Sequence, residues 1–221
     1  ILAIGHSARD TVEMLYKNGA QIIQKPFSVG ARIEHPQKLI DKAQYGAFAG
    51  HPKLGAADYK LSCHGLHQRG AYTFCMCPGG TVVAAASEKG GVIVNGMSTL
   101  ARDGENANSA LLVGIDPVDF PSEHPLAGMY YQREIEQNAF ALGGGDYRAP
   151  AQLVGDFLAD RESRALGNVQ PTCPTGVTLT NLRYCLPDKV RTTMQAAITE
   201  MDKRLHGFAL PDAVLTAPET R

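Results

Sequence analysis

From Phe27 to Glu34 the chain alternates Phe27, Val29, Ala31 and Ile33 with Ser28, Gly30, Arg32 and Glu34, a period of two that predicts a half-buried strand. Elsewhere the period lengthens. Val190, Met194, Ala197, Ile198, Met201 and Leu205 recur at helical spacing after Pro187. Met129, Ile135, Ala139, Phe140 and Leu142 do so within 125–142, where Gly143, Gly144 and Gly145 stop the run. Shorter helices are expected after Pro36 and over 150–161, the second begun by Pro150 near its first turn. Three extended runs, 71–77, 81–87 and 91–96, are separated by Pro78-Gly79-Gly80 and by Glu88-Lys89-Gly90-Gly91, so an antiparallel meander is predicted. Residues 109–116 add another strand, and 213–221 is strand-like. At the start, the apolar run Ile1 to Ile4 ends at Gly5. Ser7, with Asp10 three residues on, then resembles a capping box opening a helix closed by Asn18-Gly19. The whole predicts an α+β fold, an antiparallel sheet of about four to six strands with helices on one face.

Size and charge narrow the partners. A chain of 221 residues with 44% hydrophobic residues and a formal net charge of -1 has the composition of a globular protein able to bury a core. Nucleic acid and acidic membranes are poor partners for it, and no apolar run approaches the length of a bilayer span. Five cysteines, an odd number in a chain this long, do not form a secreted disulfide framework. Reduced thiols and a cytoplasmic location are expected. Both ends fall on strand-like runs, so the chain is expected to be an excised segment of a longer protein.

The cysteines are the first candidate chemistry. On a regular strand Cys75 and Cys77 share a face and Met76 points away. Adjacent thiols can bind zinc, with Cys63, His64 and His67 upstream as further ligands, or they can cycle as a redox pair. The usual zinc knuckle has two residues between its cysteines, however, and one is a poor fit. Two buried structural cysteines are the default. No metal site is therefore assigned.

Other motifs are thinner. None of the seven histidines sits in HExxH, and no GxSxG elbow makes Ser7, Ser62 or Ser87 a nucleophile. His6, between Gly5 and Ser7, is at a corner suited to a ligand, or to a ring that caps a carbonyl. The chain holds neither GxGxxG nor GxxxxGK[ST], so it carries no complete nucleotide-binding domain. Between Asn95 and Ser109 the side chains of Ser98, Arg102, Asn106 and Asn108 gather donors and acceptors after a buried-looking strand. Asn and Ser turns explain such a cluster, and an Arg among amides also suits a carboxylate or phosphate.

Taken together, "ILAIGHSARDT", "KPFSVGARIEHPQ", "YTFCMCPGG", "VNGMS", "NANSALLV", "LTNLRYCLP" and the terminal "ETR" resemble a family of bacterial FAD-dependent dehydrogenases over nearly the whole chain. The resemblance implies a two-domain flavoprotein in which this chain is the substrate or cap domain. Residues 1–22 are then a remnant of the FAD domain, 23–212 the substrate domain, and 213–221 the strand re-entering the FAD domain. Gly5, His6 and Ser7 would lie beside the cofactor. Cys75, Cys77, Arg102, Asn106 and Asn108 are the candidate substrate contacts. FAD would belong to the intact parent, with none bound by this segment alone, which is expected to be inactive. The implied partners are a small-molecule substrate, the missing FAD domain and NAD(P)H as an electron donor. Two other classes stay open: a thiol or zinc module built on Cys75 and Cys77, and a non-catalytic interaction domain.

Overall fold

The computed structural model of the chain describes residues 1–5 and 7–220. At its centre β1 (Phe27–Pro36) and β6 (Asn106–Ile115) run antiparallel over their full lengths, from Phe27 opposite Ile115 to Pro36 opposite Asn106. Outside β6 lie β3 (Arg69–Cys77) and then β2 (Ser62–Leu66). Outside β1 lie β9 (Val214–Thr220), β7 (Ala149–Leu153) and the short β8 (Val177–Leu179). All neighbours pair antiparallel except β7 with β8. The fold is α+β with a mostly antiparallel sheet, as expected, and the sheet is wider than expected, with seven strands.

Part of the extra width comes from a segment whose local pattern misleads. Residues 149–153 open the stretch expected to be a helix, yet they form β7, and helix α4 (Val154–Leu158) starts only afterwards. With β9 on one side and β8 on the other, both backbone edges of β7 find partners. That pairing outweighs a weak helical period.

Helices cover one face of the sheet. In α5 (Asp188–Asp202), Val190, Met194, Ala197, Ile198 and Met201 are all fully buried, packed toward β1, β2, β3 and β6. Asp188 in its first turn complements the positive end of the helix. Helix α3 (Ala127–Gly143) packs along β7 and β9 and stops at Gly144, whose φ of 110° is the left-handed terminator the glycine run promised. Helix α2 (Gln37–Tyr45) follows Pro36 directly. Helix α1 (Arg9–Lys17) differs from expectation at its start. Ala8 is the N-cap and, among the described residues, no side chain caps it; the Ser7 carbonyl accepts from the Arg9 N–H at 2.9 Å. The run Ile1–Ile4 pairs with no strand among the described residues, and Ile1 and Leu2 are exposed.

The other face is covered by a ribbon of β4 (Gly80–Ala84) and β5 (Val94–Ser98), which pair only with each other. The expected three-strand meander is therefore not formed. Pro78 has no N–H to continue a ladder, and Gly79, at φ 49°, sits so close to the Arg102 carbonyl that a Cβ there would overlap it. The corner lifts the chain off the sheet instead of folding it back. Covered by helices on one side and ribbon on the other, β1 is buried on both faces. Its polar residues Arg32 and Glu34 are as inaccessible as Val29 and Ile33.

On the helix side, Phe208 closes the core. Its ring lies 5.1 Å from His35 and 5.8 Å from Tyr59, and its carbonyl accepts from His35 Nε2 at 2.8 Å. With Nε2 as the donor, Nδ1 is the bare nitrogen, buried with no hydrogen-bond partner. Burial drives the His35 pKa down from 6.5 to about 4, against the opposing pulls of the Phe208 carbonyl and Asp202. The folded value lies below the unfolded one, so the neutral ring contributes its full stability above pH 6.5 and loses it as pH falls through about 4. We expect urea unfolding between pH 7 and pH 4 to show a loss of up to about 3 kcal/mol that is absent in His35→Gln. Equal pH slopes in the two proteins would remove His35 from this role.

Candidate functional site

Arg32 points from the central strand toward the ribbon and is fully buried. Its Nε and Nη2 donate to Asn108 Oδ1 at 3.0 and 2.6 Å, and Nη1 donates to Glu219 Oε2 at 3.2 Å. Nη2 also reaches the Cys75 carbonyl at 2.8 Å and Cys77 Sγ at 3.4 Å. One guanidinium thus joins β1, β3, β6 and β9. The ribbon closes over it at Gly96, where a Cβ would overlap Arg32 Nη2 and Asn108 Oδ1. Only glycine allows that approach.

Two residues further along β1, Glu34 organises the loop 167–176. Its carboxylate accepts from the Thr172 hydroxyl at 2.6 Å, from the Thr172 N–H at 3.2 Å and from Asn106 Nδ2 at 3.1 Å. Burial raises the Glu34 pKa, while these donors and Arg32 pull it down. Asn106 Nδ2 also donates to the Gln170 carbonyl at 2.8 Å. Within this layer Asn108 Nδ2 and Thr216 Oγ1 are buried without a hydrogen-bond partner.

The cysteines do not sit as a regular strand would place them. Phe74 is opposite Ala110 and Cys77 opposite Asn108, so two residues, Cys75 and Met76, face the single Ser109. This is a β-bulge, and Cys75, at φ 46°, takes the left-handed position that glycine usually fills. The extra residue reverses the alternation beyond it. Phe74 and Cys77 therefore share the ribbon-side face, Met76 turns into the helix-side core, and Cys75 stands exposed at the kink. The expectation that Cys75 and Cys77 line one face as strand neighbours is corrected. Their proximity comes from the curl, with Cys77 Sγ 3.3 Å from the Cys75 carbonyl.

The remaining candidates divide. Cys77 and Asn108 touch Arg32, and Cys75 touches it through its carbonyl. Asn106 lies one step away at Glu34. Arg102 is in the exposed turn after β5, at φ 53°, and shares with Asn106 the wall of a cleft of about 590 Å³, which runs between the start of α2, residues 50–56 and residues 168–170. Gly5 and Ser7 are exposed just before α1, and His6 lies outside the described residues. Helix α1 is fastened by Arg9, buried, which donates twice to Glu136 (2.7 and 2.6 Å) and once to Glu88 (2.7 Å). Arg133 and Arg9 together lower the Glu88 pKa to about 2. Thr220 Oγ1 donates to the same Glu136 at 2.8 Å, so helix α1 and strand β9 meet at one carboxylate. Among the described residues no group of three or more His, Cys, Asp or Glu side chains is placed to hold a metal ion, so the zinc set of Cys63, His64 and His67 with Cys75 and Cys77 is not assembled.

Sequence reasoning did not nominate Arg32, Glu34, Thr172 or Glu219. Alternation on a strand implies a wet polar side, and only the covering ribbon makes that side an interior. One signal was present in the sequence: Gly96 inside a strand-like run marks a close backbone approach.

Fold and site together define a compact α+β domain whose two ends are tied together and whose second face hides a charged layer. The chain belongs to the family described as FAD-dependent protein, C-terminal domain-like, whose model matches residues 26–221. An uncharacterized protein of Clostridium beijerinckii is 54% identical over 222 residues, an alignment that covers all of this chain and 42% of the relative. The chain thus spans less than half the length of that relative. No helix among the described residues is long and apolar enough to cross a membrane. The family match reaches through β9, which lies inside the sheet between β1 and β7. Gly5 and Ser7 are both exposed before α1 and do not by themselves enclose a dinucleotide such as FAD.

Replacing Arg32 by Met removes the donors to Asn108 Oδ1 and the Cys75 carbonyl, and the cation beside Glu219. We expect a loss of roughly 3–5 kcal/mol in urea unfolding, the range for breaking a buried ion pair. An Arg32→Met protein as stable as the wild type would show that the layer does not depend on Arg32.

Proposed function

We propose that this domain is the substrate-binding cap of a bacterial, cytoplasmic FAD-dependent oxidoreductase, a dehydrogenase, in which it shapes the pocket over the flavin. One observation carries the reading. Arg32 links the candidate contacts Cys75, Cys77 and Asn108 to one another and to Glu219 of β9. Cys75 is the exposed member of this group and the one open to a substrate or a second domain. The family membership supports a flavoprotein context.

In this reading bound FAD supplies the hydride chemistry, and most of the residues that hold it lie in the larger part of a protein of the relative's length. Gly5, His6 and Ser7 contribute an edge of that site. The domain's own residues bind and orient a small-molecule substrate: the exposed Arg102 guanidinium suits a carboxylate or phosphate at the mouth of the cleft, with Asn106 on its wall. The Arg32 layer keeps the Cys75 kink in one position and excludes water behind it. NAD(P)H is the proposed electron donor, and neither nucleic acid nor a membrane is required as a partner.

The test compares the full-length Clostridium beijerinckii relative with residues 1–221 of the present chain, each mixed with FAD, desalted and scanned in the visible range. Flavin bands should stay with the full-length protein and be lost from the shorter chain. A full-length protein that remains colourless would overturn the flavoenzyme reading.

A further inference from the structure

Disulfide geometry requires Cα atoms about 4.4–6.8 Å apart. Two residues of extended strand cover about 6.6 Å, at the edge of that window, and Cβ atoms on a flat strand stand parallel instead of converging. A Cys-X-Cys sequence on a regular strand is therefore poorly placed to close. The kink at Cys75 departs from that regular geometry. Its left-handed φ of 46° curls the three residues until Cys77 Sγ lies 3.3 Å from the Cys75 carbonyl. A left-handed conformation is unfavourable for a residue with a Cβ, and glycine would relieve it.

The two thiols have unequal access. Cys75 is exposed, whereas Cys77 is 6% exposed and lies beneath it, against Arg32 Nη2 at 3.4 Å. The same nitrogen holds the Cys75 carbonyl, so both halves of the kink hang on one rigid, fully buried donor. The other cysteines, Cys63, Cys173 and Cys185, are buried far from solvent chemistry.

We propose that Cys75 and Cys77 form a thiol–disulfide exchange pair that reduces low-molecular-weight disulfides, with Cys75 as the attacking and Cys77 as the resolving thiol. This goes beyond the flavin reading and does not depend on it. The Cys75 thiolate attacks one sulfur of a disulfide RSSR; the S–S bond breaks and the first RS⁻ leaves, taking up the proton that Cys75 gave up. Cys77 then attacks Cys75 Sγ in the mixed disulfide, forming the Cys75–Cys77 bond and expelling the second RS⁻, which takes the Cys77 proton. In balance, RSSR and two protein thiols become two RSH and one protein disulfide. The order follows from access, since burial pushes the Cys77 thiol up, as does the nearby Cys75, and Arg32 draws it back only in part. Arg32 acts as a positioning residue that favours the Cys77 thiolate once it forms.

The experiment incubates the chain with oxidised glutathione, quenches with an alkylating reagent under native conditions and weighs the peptide carrying both cysteines. The wild type should lose two hydrogens and retain no glutathione. Cys77→Ser should gain one glutathione on Cys75 and keep it, and Cys75→Ser should leave Cys77 unmodified over the same time. A persistent glutathione adduct on wild-type Cys75 would overturn the pairing. So would a wild type in which neither thiol reacts, a readout that needs no variant to fold. Cys77 reacting in Cys75→Ser at the wild-type rate would overturn the assigned order.

Discussion

A guanidinium removed from water has to find its acceptors inside the protein, and that demand at Arg32 organises the second face of this domain. Its partners come from β3, β6 and β9 as well as from the backbone of the bulge. Desolvation makes such a cluster a poor source of net stability, yet removing one member leaves the rest stranded. Its contribution is to specification. Any slip of β3 or β9 by one residue would turn Cys77 or Glu219 to the wrong face and leave the cation without its acceptors. Gly96 has to be glycine for the same reason, because the ribbon rests directly on the charge.

The helix-side face solves the opposite problem. There, α5 buries a largely apolar stripe, and among the buried polar groups His35 bonds the Phe208 carbonyl, Tyr59 bonds Ser109 at 2.9 Å and the Thr193 hydroxyl donates to the Lys189 carbonyl within its own helix. The central strands thus separate an oily layer from a charged one. A third cluster, Arg9 with Glu136 and Glu88, joins α1 to α3 and, through Thr220, to β9. It fastens α1, which lies outside the matched family residues, to a helix and a strand that lie inside them. The position of α1 relative to the sheet is therefore set by charge pairing at a buried carboxylate.

The bulge at Cys75 connects these structural constraints to chemistry. Arg32 holds its carbonyl, so the exposed thiol is carried on the rim of the buried layer and not on a mobile loop. A strained backbone position is retained only where the surroundings over-determine it. Here the β6 ladder on one side and the guanidinium on the other do so.

Local pattern by itself determined the strongest elements. The period of β1, the stripe of α5, the glycine stop of α3 and the strand at 214–220 were all legible, because each depends on side-chain spacing along one segment. Only the tertiary structure decided that residues 149–153 are a strand, since their backbone partners come from β8 and β9. It alone decided that Arg32 and Glu34 are interior, because the cover over them comes from residues 80–98 and 167–176. It decided as well which way Cys75 and Cys77 point. A bulge is a mismatch in count between two strands, and one strand's sequence does not contain the number of residues opposite it. Cys77, Asn106 and Asn108 could be nominated from their types and their neighbourhood in the chain. The charge that gathers Cys77 and Asn108, and the exposure that distinguishes Cys75 from Cys77, exist only once four strands and a ribbon have closed around Arg32.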